Sequence, residues 1–108
     1  KEKILNAPLR APLIIIVIAS VKEDSIIPEV EQILSAGAAA QNILIASHSL
    51  GYSAIWRTGF LAFNKEVSLS FGLDKSDIII GYLYIGSTDK KLEVPEISDI
   101  NDFVIKWS

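Results

Sequence analysis

Residues 28–50, PEVEQILSAGAAAQNILIASHSL, restrict the fold of this chain more than any other stretch. They read as one helix. Pro28 suits its first position, Glu29 and Glu31 place negative charge near the positive end of the helix dipole, and Gly51 is the expected left-handed stop. At 1.5 Å per residue such a helix is roughly 35 Å long, as long as a small domain is wide. Val30, Ile33, Gly37, Ala40, Leu44 and Ser47 fall on one stripe, whereas Leu34, Ala38, Ile45 and Ala46 lie off it. The helix is therefore apolar on more than one face and has to sit between other elements. Alanines 36, 38, 39, 40 and 46 and Gly37 leave little bulk between its backbone and its neighbours.

Composition narrows what surrounds that helix. The 108 residues are enough for one domain with a modest core. Half are hydrophobic and only 21% are charged, with a mean hydropathy of +0.39, so part of the apolar surface belongs against another chain or further sequence. The sequence begins at Lys1 and contains no methionine, and it is read as a piece of a longer chain. A net charge of −3 and a pI near 5.0 argue against a nucleic-acid binder, which needs a basic face to displace phosphate counterions. Without cysteine there is neither a disulfide scaffold nor a thiolate metal site, and His48 alone does not make a zinc site. The most apolar run, Leu13–Ala19, falls far short of the ~20 residues of a membrane-spanning helix. A soluble protein is expected, with the cytoplasm as its default compartment.

The rest of the chain reads around the helix. Lys1–Asn6 ends a helix, and the prolines at 8 and 12 make residues 7–12 an extended connector. Leu13–Ser20 is a strand whose continuous β-branched run implies cover on both faces, as for a central strand. Residues 52–56 form a short strand, and Arg57-Thr58 a turn that ends at Gly59. Together with that turn, Trp56, Arg57 and Thr58 are expected to leave the fold as a group. Asn64 caps a short helix over residues 65–71. Ile78–Ile85 is a second strong strand, with Gly81 as a bulge or a point of close approach. The segment Glu96–Ser108 keeps Ile97, Ile100, Phe103, Val104, Ile105 and Trp107, too apolar to stay free, and is expected to dock.

Three motifs bear on chemistry. Ser47-His48-Ser49-Leu50-Gly51 imitates the nucleophile elbow of serine hydrolases, yet it lacks the first glycine, continues a helix rather than a strand, and has no histidine after the serine. The small-residue run Gly37-Ala38-Ala39-Ala40 suits tight packing in a core, close approach of two subunits, or both at once. In Trp56-Arg57-Thr58-Gly59, a planar guanidinium between an aromatic ring and a glycine turn can meet a carboxylate, a phosphate or an electron-rich ring edge, or can pair with a surface acid.

The blocks NAPLRAPLIIIVIAS, VEQILSAGAAAQNILIASHSLGYSAIWRTG and IIIGYLYIGS, in that order, resemble the nitroreductase family of FMN-dependent oxidoreductases, in its small single-domain branch. Most of the chain is covered, and the small-residue helix followed by G-Y-x-x-x-W-R-x-G is its most specific part. The resemblance implies an α+β fold with a mixed β-sheet flanked by helices and a long central helix at a homodimer interface. It further implies a C-terminal segment that reaches onto the partner and FMN bound between subunits. Trp56, Arg57 and Thr58 fall where the family contacts flavin, and Ala46, Ser47, His48, Ser49, Leu50 and Gly51 align with the helix end associated with NAD(P)H. Residues 1–108 then correspond to the C-terminal part of one such domain, without the arginine- and serine-rich segment that grips the FMN phosphate.

The implied activity is hydride transfer from NADH or NADPH through FMN to a nitroaromatic, a quinone or a similar small acceptor, with no side-chain nucleophile, no metal, no nucleic acid and no membrane. This piece alone is expected to be inactive. The rival readings are a non-catalytic dimerising module or a flavin-binding fragment without turnover, and a serine hydrolase acting through Ser49.

Overall fold

In the computed structural model, which describes residues Glu2–Ser108, three strands pair in the order β1-β3-β2, all antiparallel. They are β1 (Leu13–Ser20), β2 (Ser53–Arg57) and β3 (Asp77–Gly86). The architecture is α+β. Among the described residues, the parallel pairing of a mixed sheet does not occur.

A four-residue helix, α1 (Glu2–Leu5), precedes the sheet. The long helix α2, Glu29–Ser49, crosses one face of the sheet and touches every strand. Pro28 sits one position earlier than the sequence suggests, with extended ψ (147°), and its carbonyl accepts from the amides of Glu31 and Gln32. The Gln32 side chain then ties the preceding turn down, donating to the carbonyls of Ile27 and Lys22 and accepting from the Lys22 amide. On the sheet side, Ala40 and Ser47 are buried and Gly37 and Leu44 half-buried. Leu34 and Ile45 face away and are exposed, so the second apolar face seen in the sequence is uncovered within this chain, while Val30, read on the sheet-side stripe, is exposed as well.

The opposite face of the sheet carries Ile14, Ile16, Ile18, Ile79, Tyr82 and Tyr84, covered by Leu61, Ala62 and Leu73. Leu61 and Ala62 belong to α3, Gly59–Phe63, a helix where the sequence suggests only a turn. It is too short to show helical periodicity. The next helix, α4 (Lys65–Ser70), starts as expected at Asn64, whose side chain accepts from the amides of Glu66 and Val67.

β1 lies at an edge, not at the centre. Its continuous apolar run records helices on both faces, which an edge strand shares with a central one, and the strand flanked on both sides is β3, where Leu83 is fully buried. The connector before β1 also differs from expectation. A 3₁₀ turn spans Ala7–Leu9, which Pro8 tolerates because its fixed φ fits that turn. Beyond β3, residues 87–108 contain only a 3₁₀ turn at Ile100–Asp102. Its apolar residues do not dock within the chain, and Trp107 is 98% exposed.

Among the described residues, no helix is long and apolar enough to cross a membrane, and no group of His, Cys, Asp or Glu side chains could hold a metal ion.

Candidate functional site

The pairing of β1 with β3 shifts between Val17, opposite Gly81, and Ile18, opposite Ile79. Ile80 is thus the extra residue of a β-bulge, and the bulge reverses the alternation of β3, which is why Ile79 and Tyr82 share one face. Trp56 responds to this irregularity. Its Nε1–H donates to the Ile80 carbonyl at 3.2 Å, and the indole lies across Gly81. A Cβ at Gly81 would overlap the indole, at Nε1 and Cδ1 foremost, so glycine is required there by close approach rather than by its φ. On its other side the indole reaches α2, where a Cβ added to Gly37 would stand 3.9 Å from Cη2, an ordinary contact.

Trp56, Arg57 and Thr58 therefore do not leave the fold together. Strand alternation turns Trp56 toward α2 and Arg57 to the opposite face, level with Tyr82. Arg57 and Thr58 are exposed, and Gly59, at φ +65°, makes the left-handed step from β2 into α3.

On the Arg57 side, the chain forms a cleft of about 670 Å³. Its walls are Lys3, Ala7 and Arg10 from the N-terminal helical turns, Ile55–Arg57 from β2, Thr58 at the junction, Gly59–Leu61 from α3, and Tyr84 from β3. Lys3, Arg10 and Arg57 bring three cations to it, and among the described residues none that lines it is acidic. Ile55, Phe60, Leu61 and Tyr84 supply apolar and aromatic surface. The sequence reading missed Lys3, Arg10, Phe60 and Tyr84. The available signal was that Arg10 is the only arginine besides Arg57.

None of Ala46–Gly51 lines this cleft. Ser47 is buried, and its Oγ donates to the Ile43 carbonyl at 2.8 Å. Ser49 is exposed, with Oγ donating to the Ile45 carbonyl at 3.1 Å. Both hydroxyls are spent on the helix's own carbonyls one turn back, the usual habit of serine in a helix. Ala46, His48, Leu50 and Gly51 are exposed, and Gly51 takes φ 85° just past the helix end. The hydrolase motif thus ends a helix, with no strained strand-to-helix turn to lift a nucleophile.

Behind the cleft, the buried Tyr82 donates through its hydroxyl to the Leu61 carbonyl at 3.1 Å and so anchors α3. Burial, and next the neighbouring Tyr84, raise its pKa above the ordinary phenol value of 10.0. The folded state then keeps the proton that the unfolded state releases first. Stability from this group is complete below about pH 10 and is lost as pH climbs through the folded pKa. In denaturant titrations from about pH 8 to 11, Tyr82→Phe should lose less stability with rising pH than the parent. Equal slopes would show that Tyr82 does not contribute.

Comparison with known proteins places the chain in a family. The family described as "Nitroreductase family" matches residues 1–87, from the N-terminal turns to the end of β3. The chain belongs to the nitroreductase family. It is 41% identical over 90 residues to "Putative NAD(P)H nitroreductase YdjA" of Escherichia coli strain K12, covering 83% of this chain and 49% of the relative. It is 30% identical over 109 residues to "Putative NAD(P)H nitroreductase" of Haemophilus influenzae, covering 96% and 59%. The chain spans about half the length of these relatives. Solved structures show the same fold. A nitroreductase-like family protein from Bacillus cereus matches with a TM-score of 0.79 at 23% identity, over 96% of this chain and 58% of that one. An FMN-dependent nitroreductase from Clostridium difficile R20291 matches with a TM-score of 0.66 at 20% identity, over 88% and 57%.

Proposed function

We propose that this chain contributes part of the flavin site of an FMN-dependent NAD(P)H oxidoreductase. The observation that carries the reading is the cleft at Trp56-Arg57-Thr58-Gly59, where family membership leads one to look for flavin and where the residues suit it. Its volume lies within the ~300–1,000 Å³ of small-molecule sites, and its lining combines aromatic and apolar walls with uncompensated cations, as an aromatic, anionic cofactor needs. When bound, FMN supplies the redox chemistry, taking a hydride from NAD(P)H and passing reducing equivalents to a nitroaromatic, a quinone or a similar acceptor.

The side chains position and polarise. Arg57, permanently charged, would stabilise negative charge on a flavin bound in the cleft. Thr58 would offer a hydroxyl beside it, and Phe60 and Tyr84 aromatic surface. Trp56, clamped on Ile80 and Gly81, acts through the backbone by fixing where Arg57 leaves the strand. The end of α2, Ala46–Gly51, is assigned to the nicotinamide cofactor on the family resemblance alone. Nothing in this mechanism asks a side chain to act as nucleophile.

The exposed apolar residues of α2, Val30, Leu34 and Ile45, and the uncovered tail ending in Trp107 support a homodimer in which these surfaces meet a second copy. The same surfaces favour the second reading, a dimerising module without turnover. Colour separates the two. The full-length protein should purify yellow, with flavin absorbance bleached by NADH or NADPH. A colourless dimer that takes up no added FMN would establish the module instead.

A further inference from the structure

α3 has little of its own to hold it in place. It is five residues long, far below the roughly 12–15 at which an isolated helix becomes even marginally stable, so its position depends on its neighbours. Gly59, at φ +65°, and Asn64, with extended ψ (120°), break its continuity at either end, and the Thr58 side chain makes no hydrogen bond to its first turn. Its last carbonyls have no amide ahead of them within the helix. Tyr82 meets one of these. Its hydroxyl donates to the Leu61 carbonyl at 3.1 Å, and among the described residues this is the one hydrogen bond that joins α3 to the sheet. Tyr82 is buried, so water competes poorly for the bond.

This tie lies at the cleft. Tyr82 stands opposite Arg57 in the pairing of β2 with β3, on the same face of the sheet. Ala62 packs inward with Tyr82 and Ile79, which leaves Phe60 exposed and lining the cleft together with Leu61. We propose that Tyr82 is a positioning residue for the cleft: by capping α3 from the sheet, its hydroxyl holds the wall of Phe60 and Leu61 beside Arg57, so that a ligand meets wall and guanidinium together. The inference rests on the flavin reading for the identity of that ligand. Tyr82 acts through α3 and needs no contact of its own with it.

The test compares Tyr82→Phe in the full-length protein with Val21→Ala, which trims a buried side chain just beyond β1 and outside the cleft. Without ligand, amide hydrogen exchange followed by NMR should quicken severalfold at residues 59–64 in Tyr82→Phe and keep the parent's values there in Val21→Ala. Tyr82→Phe should bind FMN roughly three- to tenfold more weakly in a fluorescence titration, the size of one lost neutral hydrogen bond, and Val21→Ala as tightly as the parent. A role in stability alone would move neither readout selectively. In a Phe60→Ala background the wall has lost its aromatic part, and there Tyr82→Phe should change FMN affinity by less than about twofold. Unchanged exchange at residues 59–64, unchanged FMN affinity in Tyr82→Phe, or the same loss with and without Phe60 each overturns the proposal. A parent that takes up no FMN, but whose exchange at residues 59–64 quickens in Tyr82→Phe alone, removes the flavin reading and keeps Tyr82 as the residue that sets this wall.

Discussion

Gly81→Ala should lower the melting temperature by roughly 5–15 °C, because its methyl group needs the space that the Trp56 indole already fills. The indole cannot slide aside freely. It is held by its hydrogen bond to the Ile80 carbonyl on one side and by α2 on the other, so relief means both an overpacked contact and a lost bond at the bulge. Together these cost about 2–4 kcal/mol. The informative contrast is Gly37→Ala. Its methyl group would meet the same indole at 3.9 Å, an ordinary contact, and alanine favours a helix over glycine by up to about 1 kcal/mol. Thermal unfolding followed by circular dichroism should therefore separate the two glycines, with Gly81→Ala far below the parent and Gly37→Ala level with it or above. Equal melting temperatures for the two variants would show that the indole is not clamped at the bulge.

Arg57→Ala in the full-length protein should weaken FMN binding roughly tenfold to a hundredfold, the size of a lost hydrogen bond to a charged group. Because Arg57 is exposed and stands at the end of β2, folding should be unaffected and the loss confined to flavin. Arg57→Lys should restore part of it, since the charge returns without the planar fork. Fluorescence titration of the apoprotein gives the affinity, and stopped-flow reduction by NAD(P)H gives the rate. Unchanged values for both would take Arg57 out of the site.

Much of the fold was legible because it is local. The β-branched run at Leu13–Ser20, the small-residue helix ending before Gly51, the cap at Asn64 and the run Ile78–Ile85 each carry their own signal within a few residues, and each forms close to where it was read. Gly81 reads as a bulge or a close approach, and it is the close approach, next to the bulge at Ile80. The edge position of β1 was not legible, since covered faces look alike in an edge strand and a central one. The helix at Gly59–Phe63 was too short to show a period. The C-terminal segment reads as a docking segment, yet its apolar residues stay exposed in this chain.

The candidate site divides in the same way. By itself the sequence determined the family, the motif Trp56-Arg57-Thr58-Gly59 and the irrelevance of the hydrolase-like serine, because these depend on residue identity and spacing along one stretch. Only the tertiary structure decided that Trp56 and Arg57 serve opposite faces of the sheet and that Arg10 and Lys3 share a cleft with Arg57. The first follows from strand alternation and the second from how the turns before β1 lie against the end of β2. Both are set by the register of strands that meet across long loops, a sum of many weak contacts between distant residues that no short window of sequence contains.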